Sequence, residues 1–211
     1  MILKHFTVFV GIFVFLNRFK FQIMKKTCSF LLILMVVIAV LPVRAQKGER
    51  FGIRAGYQSS AQYKNGSQVS DTDPLNYFYA GLFRDNKIIP ALHLGVGLEY
   101  FQNGHTYNNG SDKWVLNYLS IPVYLKAKLG PVFALGGLGA NFKLSEKIYF
   151  NGESMDPPDG QGSKTMDVPV FLGVGVRISI FTIEARYHWG LVDINNGASN
   201  QYFQLGAGIS L

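Results

Sequence analysis

The chain has 211 residues, of which 48% are hydrophobic and 16% charged, and a formal net charge of +7. Six of its 20 basic residues and none of its 13 acidic residues lie in residues 1–45, which leaves 14 bases against 13 acids in the rest. The basic character belongs to this N-terminal segment, so it gives no reason to expect a nucleic-acid partner. The one cysteine, Cys28, lies there too, which excludes disulfides, catalytic thiolates and cysteine zinc sites from the remainder.

The N-terminal segment has the three parts of a secretion signal. Two lysines follow Met24, a long apolar run comes next, and small residues precede a cleavage site after Ala45. We therefore expect a signal peptide over residues 24–45, with residues 1–23 translated from a mis-assigned start. A pair of N-terminal membrane helices is the alternative, but neither apolar run reaches the roughly 20 residues that span a bilayer. Cleavage leaves 46–211 as the mature domain.

In the mature domain, apolar residues recur at every second position, which is the period of a strand with one apolar face. The predicted strands are 51–63, 75–84, 91–103, 113–127, 132–143, 167–179, 181–192 and 201–211. Long polar connections alternate with short ones, as in transmembrane barrels, where tight turns face the periplasm and long loops face outward. We predict an all-β fold: an eight-stranded antiparallel up-and-down transmembrane β-barrel, preceded by a cleavable signal segment.

Bulk and charge indicate which face of the sheet meets lipid. In the seventh predicted strand, Ile183 and Tyr187 share one face, whereas Glu184 and Arg186 share the other. A soluble lipocalin-like barrel would turn its apolar face inward and carry lysine and glutamate outward. Here the polar face consists mostly of glycine with isolated charges, which suits the crowded interior of a narrow barrel. We expect lipid on the bulky face, with a soluble periplasmic ligand-binding barrel as the alternative.

Several charged or titratable side chains fall on the predicted inner face. They are Arg54, His93, Glu99, Lys126, Arg177, Glu184, Arg186 and His188. Buried charges persist when they are paired and hydrogen-bonded, so we expect a polar network through the lumen. An eight-stranded interior is about filled by its own side chains, and we therefore predict a plugged barrel and no diffusion pore.

A proline interrupts the strand pattern of the fourth segment, which reads Tyr118-Leu119-Ser120-Ile121-Pro122-Val123-Tyr124-Leu125-Lys126. This segment resembles the Tyr-Leu-x-Ile-Pro-x-x-x-Lys stretch of the PorT-like small outer-membrane barrel proteins. The segments 80–83 and 95–100 are also similar to that family, and the resemblance covers residues 51–211. It implies insertion into the bacterial outer membrane by the barrel assembly machinery. For some members it also implies a role beside the protein-secretion apparatus.

The residue patterns predict no catalytic site, no cofactor and no metal site. His93, His105 and His188 lie in no recognisable catalytic motif with a serine such as Ser120. The acidic residues of segment 153–167 do not have the spacing of a calcium loop. We therefore expect a protein that is not an enzyme, and we keep a lipid-modifying barrel enzyme as the alternative.

The longest outward connection, residues 144–166, is predicted to be a mobile loop because it contains the turn-forming run Pro157-Pro158-Asp159-Gly160. Its apolar residues are the candidate contacts for a partner: Ile148, Tyr149, Phe150 and Met155. We expect the barrel to be surrounded by outer-membrane lipid and to act structurally or by binding another envelope protein through this loop.

Overall fold

The computed structural model describes residues 50–64, 66–107, 112–158, 162–194 and 197–210. The predicted signal peptide lies outside these residues. Among the described residues, no helix has the length and hydropathy needed to cross a bilayer.

Eight long strands form a closed antiparallel barrel, and the predicted fold class is confirmed. The wall strands are β1 (Arg50–Lys64), β3 (Asp73–Ile89), β4 (Leu92–Tyr107), β5 (Asp112–Leu129), β6 (Val132–Phe150), β9 (Pro169–Ile178), β10 (Phe181–Gly190) and β11 (Ala198–Ser210). Three short strands are attached to them: β2 (Ser67–Gln68) pairs with β1, whereas β7 (Glu153–Met155) and β8 (Met166–Asp167) pair with β6. Each wall strand pairs with the next in the chain, and β1 pairs with β11 to close the ring.

The bulky face of the wall points outward. Val174 and Ile183 are 60% and 63% exposed, whereas Glu99 and Arg186 are 2% and 1% exposed. A soluble lipocalin-like barrel requires the opposite arrangement, so that alternative is wrong. The outer surface is an apolar band that suits contact with lipid.

The two ends of the barrel differ. One end has tight connections, with Gly130 and Ser179 in the left-handed region at φ 62° and 57°. The other end carries the longer connections, and there β5 and β6 extend well beyond β9 and β10. Because outer-membrane barrels place short turns in the periplasm, the extended β5–β6 end faces outward.

Pro122 lies within β5, although proline cannot donate a hydrogen bond to a strand ladder. The pairing of β5 with β4 skips this position, since it runs from Val96–Val123 directly to Glu99–Ser120. On its other side, Pro122 is opposite Gly139 of β6. The gap in the β4 ladder is what accommodates the proline inside the wall.

The predicted mobile loop is wrong over its first part. Strand β6 continues to Phe150 and returns as β7, with Phe150 opposite Glu153. Asn151 and Gly152, at φ 50° and 87°, form the two-residue turn between them. Asn-Gly is the dipeptide most favoured in such turns because both residues must adopt positive φ. The segment is therefore an ordered hairpin, named here the outer hairpin (residues 146–156).

Candidate functional site

Four charged side chains from three strands, β1, β4 and β10, meet in the lumen. Arg54 lies 2.9 Å from Glu99 and 2.8 Å from Glu184 through its Nε and Nη1 atoms. Arg186 donates to both oxygens of Glu99, at 2.9 and 3.2 Å, and its Nε lies 3.4 Å from Glu184. All four side chains are almost fully buried. This cluster, named the lumen quartet, contains two positive and two negative charges, so it has no net charge.

A third acid, Asp85, was missed by the sequence analysis. It accepts hydrogen bonds from Lys126 at 2.6 Å and from the Tyr124 hydroxyl at 2.8 Å, and Tyr124 lies 3.5 Å from Arg54. The predicted second strand ends at Arg84, one residue before this acid. Asp85 nevertheless has the inward parity of Phe83, and that parity was the available signal. With the Lys126–Asp85 pair added to the quartet, the ionic network still has no net charge.

Aromatic rings surround these charges, and the sequence analysis did not foresee them. Arg54 lies 4.7 Å from the ring centroid of Phe83, and Lys126 lies 4.7 Å from that of Phe133. Glycines provide the space, since a Cβ atom on Gly95 would lie 2.1 Å from the Tyr124 ring. The glycine-rich inner face therefore accommodates large rings from neighbouring strands.

The remaining predicted lumen residues lie apart from the quartet. His188 stacks between the rings of Phe171 and Tyr202, with centroid distances of 4.7 and 4.2 Å. His93 lies 3.3 Å from the ammonium of Lys128 near the periplasmic end. Arg177 is half-buried at the same end, and its Nε donates to the Ser179 carbonyl at 2.8 Å. The prediction that Arg177 joins a sealed lumen network is not matched, because the residue lies next to the final turn of β9.

Above the quartet, neutral polar side chains fill the outer half of the lumen. Gln204 donates to Gln58 at 2.6 Å, and Gln58 donates to Asn103 at 2.7 Å. Ser120 donates to Asn141 at 2.6 Å. Most of these groups are fully buried, and a hydrophobic cluster lies in the lumen as well: Tyr79, Phe101, Leu116, Tyr118, Ile194 and Tyr202. Side chains thus occupy the lumen along most of its length.

The outer hairpin carries all four candidate contact residues. Ile148 pairs with Met155, and Phe150 pairs with Glu153. Phe150 and Met155 are exposed, whereas Ile148 and Tyr149 are half-buried. The hairpin is held to the wall because Asp112 accepts a hydrogen bond from the Asn151 backbone at 3.1 Å.

A second set of contacts fixes the base of the outer hairpin. Glu146 accepts hydrogen bonds from Trp114 at 2.8 Å, from the Ser163 hydroxyl at 2.9 Å and from Lys143. Burial by itself raises the pKa of Glu146, but the bonds from Lys143, Ser163 and Trp114 lower it below its ordinary value overall. Lys147 also pairs with Asp156 at 2.8 Å. The base of the outer hairpin is therefore held by the Glu146 carboxylate, which is charged at neutral pH.

The described histidines do not form a nucleophile–base pair with a serine. His105 contacts Tyr107, with 2.5 Å between its Nε2 and the hydroxyl oxygen, and burial lowers the pKa of His105 to about 4. Ser120 donates to Asn141 instead of a histidine. Across the described ranges, no group of three or more metal-ligating side chains comes together.

Residues 30–210 match the family described as the outer membrane protein beta-barrel domain. The chain belongs to this family. The outer membrane protein beta-barrel domain places it in the bacterial outer membrane as an integral barrel, as predicted from the sequence. The resemblance is confirmed at the level of this domain family, whereas the closer likeness to PorT stays a prediction.

Several solved outer-membrane barrels are similar in fold to this family member. Ail of Yersinia pestis, solved with the heparin analogue sucrose octasulfate, has 17% identity and a TM-score of 0.48, covering 77% of this chain and 99% of Ail. Neisserial surface protein A has 15% identity and a TM-score of 0.48, with 76% and 96% covered. OprG of Pseudomonas aeruginosa has 13% identity and a TM-score of 0.42, with 81% and 99% covered. No curated protein sequence matches the chain.

Proposed function

We propose that this protein is a plugged, non-catalytic outer-membrane barrel that binds a protein partner through the outer hairpin. The observation that carries the proposal is an ordered hairpin with exposed apolar side chains, Phe150 and Met155, beyond the lipid-facing wall. Exposed apolar groups on the watery side of a membrane protein favour a protein contact. The Asn151-Gly152 turn and its bond to Asp112 fix these side chains in place, which reduces the entropy lost on binding.

The pairing of the buried charges in the lumen supports a structural scaffold instead of a transport role. The network contains three positive and three negative side chains, and each of them has an ionic partner. Neutral hydrogen-bonded side chains fill the lumen above them. We infer that the barrel is inserted by the barrel assembly machinery and that its partner is an envelope protein that acts in secretion or envelope assembly.

The partner contact is tested by placing a photoreactive amino acid at position 150 in intact cells. A cross-linked protein should be captured, and the double substitution Phe150→Ser and Met155→Ser should reduce copurification of that protein in mild detergent at least about ten-fold. The matched control is Ser154→Ala, which changes an exposed polar residue on the same hairpin. Equal recovery of the protein with the wild type, the double variant and the Ser154→Ala control would refute the hairpin as the contact.

The proposed absence of catalysis has its own test. The lipid profile of cells that lack the barrel should be identical to that of cells that produce it. A lipid change that is reversed by the wild-type barrel and not by His105→Gln would instead establish the lipid-modifying alternative.

A further inference from the structure

The periplasmic mouth of the barrel contains a basic cleft. Arg50, Lys128 and Arg177 line a cavity of about 210 Å³ together with the turn residues Gly130 and Ser179. This group of three cations, named the mouth cluster, lies at the end opposite the outer hairpin.

The cluster is assembled across the barrel opening and not along one strand. Arg50 begins β1, whereas Lys128 and Arg177 lie near the ends of β5 and β9. In the closed ring, β1 is separated from each of the other two strands by two intervening strands. Side chains from three sides of the wall therefore converge on one cleft.

The mouth cluster has no carboxylate of its own within the described residues. The nearby acid is Asp85, and it is already bound by Lys126 at 2.6 Å and by Tyr124. Burial lowers the pKa of Lys128, the charge of Asp85 raises it, and the charges of Lys126 and Arg50 lower it, so that the pKa lies below its ordinary value overall. Because Asp85 is already balanced by Lys126 within the neutral lumen network, the three positive charges of the mouth cluster are not balanced by that network.

The hydrogen-bonding capacity of the cluster is also largely unused. The Nε of Arg177 donates to the Ser179 carbonyl, which orients the guanidinium, and its two Nη atoms have no hydrogen-bond partner among the described residues. Lys128 contacts His93, and no ion pair involves Arg50 in the described part of the chain. A guanidinium fork beside an ammonium is suited to the oxygens of a phosphate group.

We propose that the mouth cluster binds a phosphate-bearing anion at the periplasmic face. Free phosphate compounds of the periplasm and phospholipid headgroups of the inner leaflet share this chemistry. The cleft lies where the wall meets the aqueous side, so both have access to it. This site is separate from the outer hairpin, and its test is independent of a partner at that end.

The first experiment is an NMR titration of the folded barrel with inorganic phosphate in a maltoside detergent, which contains no phosphate. Ionic strength is held constant with chloride. We expect saturable shifts at the Gly130 and Ser179 amides and at the Arg177 side chain. Arg177→Gln should weaken binding about ten-fold, as expected for loss of a charge-assisted hydrogen bond. Arg177→Lys should retain part of the affinity, because it keeps the charge and loses the fork.

The matched control is Lys87→Gln, which removes an exposed cation from β3 outside the cleft and should leave phosphate binding unchanged. A second experiment distinguishes the source of the anion. The barrel is reconstituted in nanodiscs that contain phosphatidylcholine and phosphatidylglycerol. It is then released from the nanodiscs in the mass spectrometer, and native mass spectrometry counts the lipid molecules that stay bound to it. One phosphatidylglycerol retained by the wild type and lost from the triple variant Arg50→Gln, Lys128→Gln and Arg177→Gln identifies a lipid headgroup.

Saturable binding of inorganic phosphate without lipid retention identifies a soluble phosphate compound. The proposal is overturned if neither ligand binds the wild type better than the triple variant. It is also overturned if chloride at equal ionic strength gives the same shifts. Since the substituted residues lie at the exposed mouth, resistance of the folded band to detergent unfolding confirms that each variant retains the barrel.

Discussion

The lumen quartet provides the sharpest test of how this barrel is stabilised. Replacing Arg186 with methionine keeps much of the side-chain volume but removes three close contacts, two to Glu99 and one to Glu184. Arg54 would then face two buried carboxylates, so the cluster would carry a net charge of minus one. Breaking a buried ion pair on one side costs about 3–5 kcal/mol, because the remaining charge is left without compensation.

A second substitution separates this charge effect from a packing effect. In the double variant Arg186→Met and Glu99→Gln, the remaining pair of Arg54 and Glu184 is neutral and stays 2.8 Å apart. Replacing both members of a buried pair is often nearly neutral, so the double variant should lose only about 0–2 kcal/mol. The double variant should therefore be more stable than the single variant Arg186→Met.

Urea unfolding in lipid vesicles, followed by tryptophan fluorescence, measures the difference. With a urea dependence of about 2 kcal/mol per molar, the single variant should lower the unfolding midpoint by about 2 M. The double variant should recover most of that loss. If the two single losses, from Arg186→Met and Glu99→Gln, simply add in the double variant, the quartet does not act as a coupled cluster and the reasoning is refuted.

Three further predictions follow from the lumen and the hairpin base. Planar-bilayer recordings of the wild type should show no steady large channel, and such channels would contradict a plugged lumen. Gly95→Ala should destabilise the barrel by about 1–3 kcal/mol in urea, because its Cβ would meet the Tyr124 ring at 2.1 Å. Gly136→Ala, which faces a flexible leucine side chain, should cost less, and equal costs would argue against ring filling. The lowered pKa of Glu146 makes its contribution to stability present above the unfolded pKa of about 4.3 and lost as the pH falls through the lower folded value. Trp114 fluorescence, in a variant without the other tryptophan, should therefore change only at acidic pH, and Glu146→Gln should abolish that change.

The outer hairpin shows a local signal that the sequence analysis read incompletely. The run around Pro157 predicts a flexible loop, whereas Asn151-Gly152 directly after the apolar residues Tyr149 and Phe150 indicates a tight hairpin. This feature was predictable, since a two-residue turn depends on only a few neighbouring residues. Asp85 lies one residue beyond the predicted end of its strand, and its inward parity with Phe83 was likewise a local signal.

The sequence by itself determined the barrel, its strand order and the outward direction of its apolar face. These properties follow from period-two alternation and from loop lengths, which are local. Only the tertiary structure decided which charges meet, since Arg54 and Glu184 are 130 residues apart and are brought together when the closed wall seals the lumen. The same closure collects Arg50, Lys128 and Arg177 at one mouth. Contacts of this kind depend on register and curvature around the whole ring, and no local pattern in the chain specifies them.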